Sequence, residues 1–219
     1  MKIEIWSDIF CPFCYMGKRR FENALNKFEN KEAVEVVFRS FELNPNAEMV
    51  NNNNINEVLS KKYGMTLEEA KANNDNIVKQ AKTLGLDYNF DGAVLTNSFD
   101  AHRMIHFAKD YGKNVEMTEA LFKAYFTDSK NISDFDTLTD IASSIGLNKE
   151  EAIKVLNSDK YKKEVREDED LARNYSITSV PTFIINGKFL ISGAQSEEVF
   201  TMALNRASST ENILNLNDK

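Results

Sequence analysis

Cysteine is nearly absent from this 219-residue chain: there are two, and both fall in the stretch Cys11-Pro12-Phe13-Cys14. Two thiols so close exclude a framework of structural disulfides, and no second cysteine pair exists to complete the four ligands of a zinc site. Histidine is equally scarce, with only His102 and His106. Their i, i+4 spacing suits a metal or a catalytic base, but Arg103 stands where a metal-hydrolase helix carries Glu, so no metal is expected. Positive charge is in deficit: 27 Lys and Arg against 34 Asp and Glu give a net charge of −7. That balance argues against nucleic acid or an anionic membrane surface as partner. Long apolar runs are missing, so no transmembrane helix is expected. Met1 to Trp6 enters a strand-like pattern with no apolar leader, from which a cytoplasmic location is expected. The eight glycines form no phosphate loop, and no Ser/His/Asp arrangement is legible.

What is present is a close dithiol at a strand-to-helix junction. Lys2 to Trp6 alternates polar and apolar residues as a half-buried strand does. From Cys11 to about Asn30 the pattern turns helical, with Cys14, Lys18, Phe21, Leu25 and Phe28 on one face. Cys11 therefore falls where unpaired N–H groups and the helix dipole favour an anion, which predicts a reactive thiolate. Pro12 suits the first helical position. Cys14 comes one turn later, within reach of a mixed disulfide at Cys11. The expected chemistry is Cys11 as nucleophile and Cys14 as resolving thiol, with the Cys11–Cys14 disulfide as the redox group and no other cofactor. Phe13 brings neither charge nor hydrogen bond to the Cys11 sulfur, which predicts a couple less oxidising than one with His there.

Ala33 to Phe41, rich in β-branched and aromatic residues, reads as a second strand, parallel to the first because a helix connects them. Asn51 to Asn54 reads as a surface loop, and from there to Tyr175 nearly everything has helical period. Thr66-Leu67-Glu68-Glu69 and Asn148-Lys149-Glu150-Glu151 have the capping-box pattern, and Ser98 and Ser133-Asp134 mark further helix starts. The spacing predicts helices over about 67–85, 99–111, 115–126, 134–146, 151–156 and 159–175, with a loop over 88–97. Strands return at Thr182 to Ile185 and Lys188 to Ile191, joined by the hairpin dipeptide Asn186-Gly187. A last helix is expected over 196–207, followed by a polar tail. The result is an α/β order, β-α-β, a large all-helical block, then β-β-α: residues 1–48 and 176–219 as two halves of one unit, and 49–175 inserted between them.

That order, with Cys11 to Arg19 at one end, Ala101-His102-Arg103 in the insertion and Val180 to Gln195 near the other end, resembles the thioredoxin fold in its DsbA branch. More narrowly it is similar to the cytoplasmic DsbA-like family that includes FrnE-type proteins and 2-hydroxychromene-2-carboxylate isomerases. The resemblance implies a cis bond at Pro181 that positions substrate beside the dithiol, with the Val180 backbone free to pair with a substrate strand. Pro12, Phe13 and Val180 are then the substrate-contacting positions, beside Cys11, Cys14 and Pro181 as the catalytic set. It implies a cytoplasmic thiol–disulfide oxidoreductase, working toward reduction or isomerisation because that compartment is reducing. Its partner would be a disulfide-bearing protein or a small oxidised thiol, with glutathione or another low-molecular-weight thiol as co-substrate, and the protein a monomer or homodimer.

The same resemblance permits a glutathione-dependent isomerase or kappa-class transferase, although those proteins usually present Ser where this chain has Cys11. A third reading is a holdase with an apolar groove. Three features have plainer readings that are preferred. Lys18-Arg19-Arg20 is expected to be a solvated helix face with a packed stem, and Glu164 to Asp170 a solvated acidic face. His102 and His106 are expected to pack between insertion and sheet, the alternative being a place near Cys11. Phe99, Phe107, Phe122, Tyr125 and Phe126 at helical spacing are core before they are groove.

Overall fold

The computed structural model describes residues 1–48 and 54–217, with side chains described through 209. The chain runs β1 (Lys2–Ser7), α1 (Pro12–Asn26), β2 (Glu35–Ser40), α2 (Ile55–Tyr63), α3 (Leu67–Thr83), α4 (Phe99–Lys109) and α5 (Asn114–Phe126). It continues with α6 (Phe135–Ser144), α7 (Lys149–Leu156), α8 (Lys162–Asn174), β3 (Thr182–Ile185), β4 (Phe189–Ser192) and α9 (Glu197–Asn217). Alternation in the strands supplies two apolar faces, and both are used. β1 lies between β2, which it pairs in parallel, and β3, which it pairs antiparallel; β4 completes the order β2-β1-β3-β4. Ile5 sits between Phe38 and Phe183 in this register. On one face Phe21 of α1, Phe183 of β3 and Phe200 of α9 form a mutual ring cluster, with Phe183 and Phe200 centroids 4.7 Å apart. On the other face Trp6 and Ile184 pack on Ala172 and Ile177.

Local chemistry explains most of the element ends. Thr66 and Glu69 form a reciprocal capping box on α3, Asp134 accepts the Thr137 N–H, and Asn148 accepts the Glu151 N–H. Asn186 and Gly187 have φ of 51° and 66°, the left-handed pair that a tight two-residue hairpin requires. The Asn186 side chain also accepts the Lys2 N–H at 2.8 Å, fastening the turn to the start of β1.

Several expected boundaries move. α1 stops at Asn26, where the Lys27 and Phe28 amides turn to carbonyls three residues back, the tighter closing turn of a helix end. Ser98 stands at the start of α4 without capping it; the Phe99 N–H is taken by Asn97 Oδ1 at 2.8 Å. α8 begins at Lys162, because Tyr161 before it has φ of 64°, held there by its hydroxyl on Asp110 at 2.6 Å. α9 runs to Asn217 in place of the polar tail, with no glycine or proline after Ala207 to stop it. α2 was not anticipated as an element; Asn54 caps it through the Asn56 N–H, and the rest of the 51–54 run lies outside the described residues.

The Lys18 stem packs on the insertion as expected, but its ammonium is buried with it, and one residue of the acidic face, Asp168, is buried as well. Lys18 is buried, ion-paired to Glu22 at 2.6 Å and to Glu119 of α5, while Arg19 reaches Glu119 at 2.7 Å and Arg20 the Ala194 carbonyl at 2.5 Å. Burial would raise the Glu119 carboxyl, but Lys18, the Tyr15 hydroxyl and Arg19 hold it below the usual carboxylate range. Within the acidic run, Asp168 is buried against β2: it accepts the Ser40 N–H at 2.9 Å and pairs with Arg39 at 2.7 Å, and its carbonyl takes the Trp6 indole N–H at 3.0 Å. One buried acid pins α8 across the sheet.

Candidate active site

Cys11 occupies the cap position of α1 with extended backbone (φ −88°, ψ 109°), and Pro12 follows as the first helical residue. The bend is closed by the Cys11 N–H on the Asp8 carbonyl at 3.1 Å and the Cys14 N–H on the Cys11 carbonyl at 3.0 Å. Both cysteines are free thiols and largely buried. The Cys11 thiol donates to the Val180 carbonyl at 3.5 Å, and the Val180-Pro181 bond is cis. The structure therefore brings Cys11, Cys14, Pro12, Val180 and Pro181 together. Phe13 lies beside them, 44% exposed, and so open to a partner.

Cys14 lies deeper. Burial, then the neighbouring Cys11, push its thiol well up, with the Ser7 hydroxyl and the Asp8 amide opposing them. Cys14 therefore rests as a thiol. Tyr88 braces the bend from the insertion: its hydroxyl donates to the Pro12 carbonyl at 2.7 Å, and its ring stacks on Phe126 at 4.6 Å. Burial holds that hydroxyl far above its ordinary range, so Tyr88 acts as a donor throughout the physiological range.

A cleft of about 620 Å³ opens beside Cys11. Phe10, Phe13, Leu43, Ile77, Phe90 and Tyr125 are among its walls, and α2 and α3 close its far side. Of the five helical aromatics considered above, only Tyr125 reaches the cleft; Phe107, Phe122 and Phe126 are core, and Phe99 lies under the Arg166 guanidinium at 4.5 Å. His106 packs as expected, its Nε2 3.1 Å from Asp168 Oδ2 and 3.2 Å from Ser40 Oγ. His102 is buried behind the dithiol bend, 3.6 Å from Asp8.

Asp8, Tyr88 and Ser7 were not foreseen at the site. For Asp8 a signal existed, an acid three residues before the first cysteine at the end of a strand. For Tyr88, 74 positions from Cys14, none did. Among the described residues no group of three or more His, Cys, Asp or Glu is placed to hold a metal, and no helix is long and apolar enough to cross a membrane.

A mixed four-stranded sheet ordered β2-β1-β3-β4, helices on both faces, and a helical block between β2 and β3 define the class: a thioredoxin fold with an insertion. The chain belongs to the DsbA-like thioredoxin domain family, whose profile matches residues 2–205. It is 34% identical over 206 residues to the protein YwbO of Bacillus subtilis (strain 168), covering 92% of this chain and 94% of that one. A crystal structure of a probable DsbA oxidoreductase from Streptomyces coelicolor matches with a TM-score of 0.91 at 41% identity, over 95% of this chain and 90% of that one. A 2-hydroxychromene-2-carboxylate isomerase structure matches with a TM-score of 0.72 over 98% and 99% of the two chains, at 14% identity, a likeness of fold alone. Members of the DsbA-like family are thiol–disulfide oxidoreductases.

Proposed function

We propose that this protein is a cytoplasmic thiol–disulfide oxidoreductase in which Cys11 attacks a substrate disulfide, working toward reduction or isomerisation. The observation that carries the reading is the asymmetry of the two thiols. Cys11 caps a helix beside the Val180 carbonyl at the edge of an apolar cleft, whereas Cys14 is buried and protonated. The Cys11 thiolate attacks one substrate sulfur, forming a mixed disulfide and releasing the other substrate sulfur as a thiolate. Cys14 gives up its proton and attacks Cys11 Sγ, which frees the second substrate thiolate and leaves the Cys11–Cys14 disulfide. Two electrons pass from the dithiol to substrate, and a low-molecular-weight thiol such as glutathione returns them.

During attack the Val180 backbone, which lies beside Cys11, pairs with an extended substrate segment, and Pro12 and Phe13 meet it on the other side. The cleft walls favour a disulfide flanked by large apolar groups, on a protein or a small molecule. The absence of any charged group at Phe13 supports the reducing direction, since nothing there stabilises the Cys11 thiolate beyond the helix start.

The test is equilibration of the Cys11–Cys14 couple in a defined thiol buffer, with turnover of a protein disulfide by the wild type and by Cys11→Ser. A potential close to that of thioredoxin, about −270 mV, with turnover lost in the variant, is expected. A value near about −120 mV overturns the reducing direction. No intramolecular disulfide, or turnover unchanged in Cys11→Ser, overturns the mechanism.

A further inference from the structure

Tyr88 stands between α3 and α4, and its hydroxyl donates to the Pro12 carbonyl, between the two cysteines, at 2.7 Å. The ring that carries it is buried and held from three directions. It stacks on Phe126 at 4.6 Å and on Tyr15 at 5.9 Å, and it meets Phe90, a wall of the cleft, edge-on at 5.8 Å. A buried phenol must find some acceptor, but the one used here does not depend on it. Pro12 is the first residue of α1, and a first-turn carbonyl is already served by an amide four residues on in the helix ladder. The Tyr88 bond is therefore an additional one, made to the second lone pair of a carbonyl that lies inside the Cys11–Cys14 loop.

The Pro12 carbonyl shares its peptide unit with the Phe13 N–H. That amide is one of the first-turn donors that a helix leaves without an internal partner, whereas the Cys14 N–H is engaged by the Cys11 carbonyl at 3.0 Å. Cys11 is the cap residue, and a cap side chain is placed to accept from the second or third amide of its helix. In the reduced protein the Cys11 thiol donates to the Val180 carbonyl at 3.5 Å and caps nothing. Once ionised, the sulfur has no hydrogen to donate and becomes an acceptor, and the Phe13 N–H is the amide open to it. A hydrogen bond accepted by a carbonyl polarises the N–H of the same peptide and strengthens the bond that N–H donates. Burial, then Tyr15, Cys11 and Cys14, hold the Tyr88 hydroxyl far above its ordinary range, so it remains a donor whether or not Cys11 is ionised.

We propose that Tyr88 is a positioning residue for the nucleophile: acting through the Pro12 carbonyl, its hydroxyl fixes and polarises the Phe13 N–H that receives the Cys11 thiolate. The proposal rests on the reading of Cys11 as the attacking thiol and names the residue of the insertion that serves it. No covalent or redox step is added, and Tyr88 neither gains nor loses a proton.

The experiment is alkylation of the reduced full-length protein with iodoacetamide from pH 5 to 10, the modified cysteine located by mass spectrometry. It compares the wild type with Tyr88→Phe, which keeps the ring and its stacking, and with Tyr161→Phe. The second variant also removes a buried hydroxyl bond of the insertion, the one to Asp110 at 2.6 Å, but none on the dithiol bend. In Tyr88→Phe the Cys11 profile moves to higher pH with its shape and its alkaline plateau unchanged. On its rising part the rate at a given pH falls by about two- to fourfold, the size of a modest gain on one charge-assisted hydrogen bond. Tyr161→Phe follows the wild type. A Tyr88→Phe profile that coincides with wild type overturns the proposal. So does a raised plateau at an unmoved midpoint, which would mean that the hydroxyl only shields the sulfur, or an equal shift in Tyr161→Phe, which would mean general loosening. Should Tyr88→Phe fail to fold, 3-fluorotyrosine placed at position 88, a stronger donor of nearly the same shape, decides: it must move the profile to lower pH, and an unmoved profile refutes the proposal. If Cys11→Ser leaves disulfide turnover unchanged, the nucleophile reading itself falls, a result distinct from any of these.

Discussion

Gly17→Ala tests how tightly α1 and the Pro181 loop are fitted together. Gly17 is buried in the middle of α1, where alanine is the better helix former by about 0.8–1.0 kcal/mol. A methyl there would stand 3.0 Å from Pro181 Cγ and 3.4 Å from both Cα and Cβ of Ala194. The first contact is tighter than nearly all carbon–carbon contacts, so Pro181 must give by a few tenths of an ångström, and a proline ring cannot rotate out of the way. Overpacking of this kind costs about 1–3 kcal/mol, so it exceeds the propensity gain. The expected net loss is about 1 kcal/mol, a fall of about 2–4 °C in Tm for a chain of this size. Because Pro181 adjoins Val180, whose carbonyl takes the Cys11 thiol at 3.5 Å, the same displacement should weaken docking of a substrate strand. Turnover of a protein disulfide is therefore expected to show a several-fold higher KM with little change in kcat. Thermal melting of the reduced protein and steady-state kinetics read the two effects. A Tm raised by about 2 °C with KM unchanged would mean that the loop yields freely, and would refute the reasoning.

Asp168→Ala strips the Ser40 N–H, Arg39 and His106 of a shared buried partner; breaking such a pair costs about 3–5 kcal/mol, and a loss under about 1 kcal/mol in urea unfolding would show that α8 is not pinned there. Stability should also decline on both sides of neutrality. Burial would raise Asp168, but His106, the Ser40 amide and Arg39 hold it below its usual value, so its contribution is present above the unfolded value and lost as pH falls through the folded one. His102 is raised, so its contribution is complete below the unfolded imidazole value and lost as pH rises through the folded one. Melting curves between pH 4 and 9 should show both limbs, with His102→Gln removing the alkaline one; an alkaline decline that persists in that variant would place its cause elsewhere.

The parts of the molecule that were legible in the sequence are those with a short-range cause. A capping box at Thr66, the hairpin at Asn186-Gly187 and a cysteine followed by proline at a strand end are each decided by neighbours a few positions away. The β-α-β, helical block, β-β-α order followed from pattern alone, and the family resemblance from three separated segments agrees with the match over residues 2–205. Burial of charge was not legible. The Lys18 stem falls on the packed face of α1, but burial of its ammonium shows only once Glu119, 101 positions later, is brought against it, and Asp168 reads as one acid among several until Ser40, 128 positions away, supplies its amide. Helical periodicity places a residue on a face, but which faces meet is a property of the packed chain.

The site's supports share one origin. Tyr88 on the Pro12 carbonyl, Glu119 on Lys18 and Arg19, and His102 beside Asp8 all come from the helical block between β2 and β3, while the sulfurs come from the β1–α1 bend. The insertion is thus part of the reactive centre's structure as well as the wall of its cleft. A thioredoxin fold without it would expose the flank of α1 that carries Tyr15 and Lys18 and would remove His102 from beside the Asp8 carboxylate. On the proposed reading, the dithiol is approached from two places. The residues between the cysteines lie next to the Cys11 sulfur, while Tyr88 holds the Pro12 carbonyl and Glu119 of α5 holds Lys18 and Arg19 of α1. Phe13 contributes no charge, so substitutions in the insertion that remove the Tyr88 or Glu119 contacts, far from Cys11 in sequence, are expected to change its alkylation rate more than exchanges on the exposed outer turns of α1.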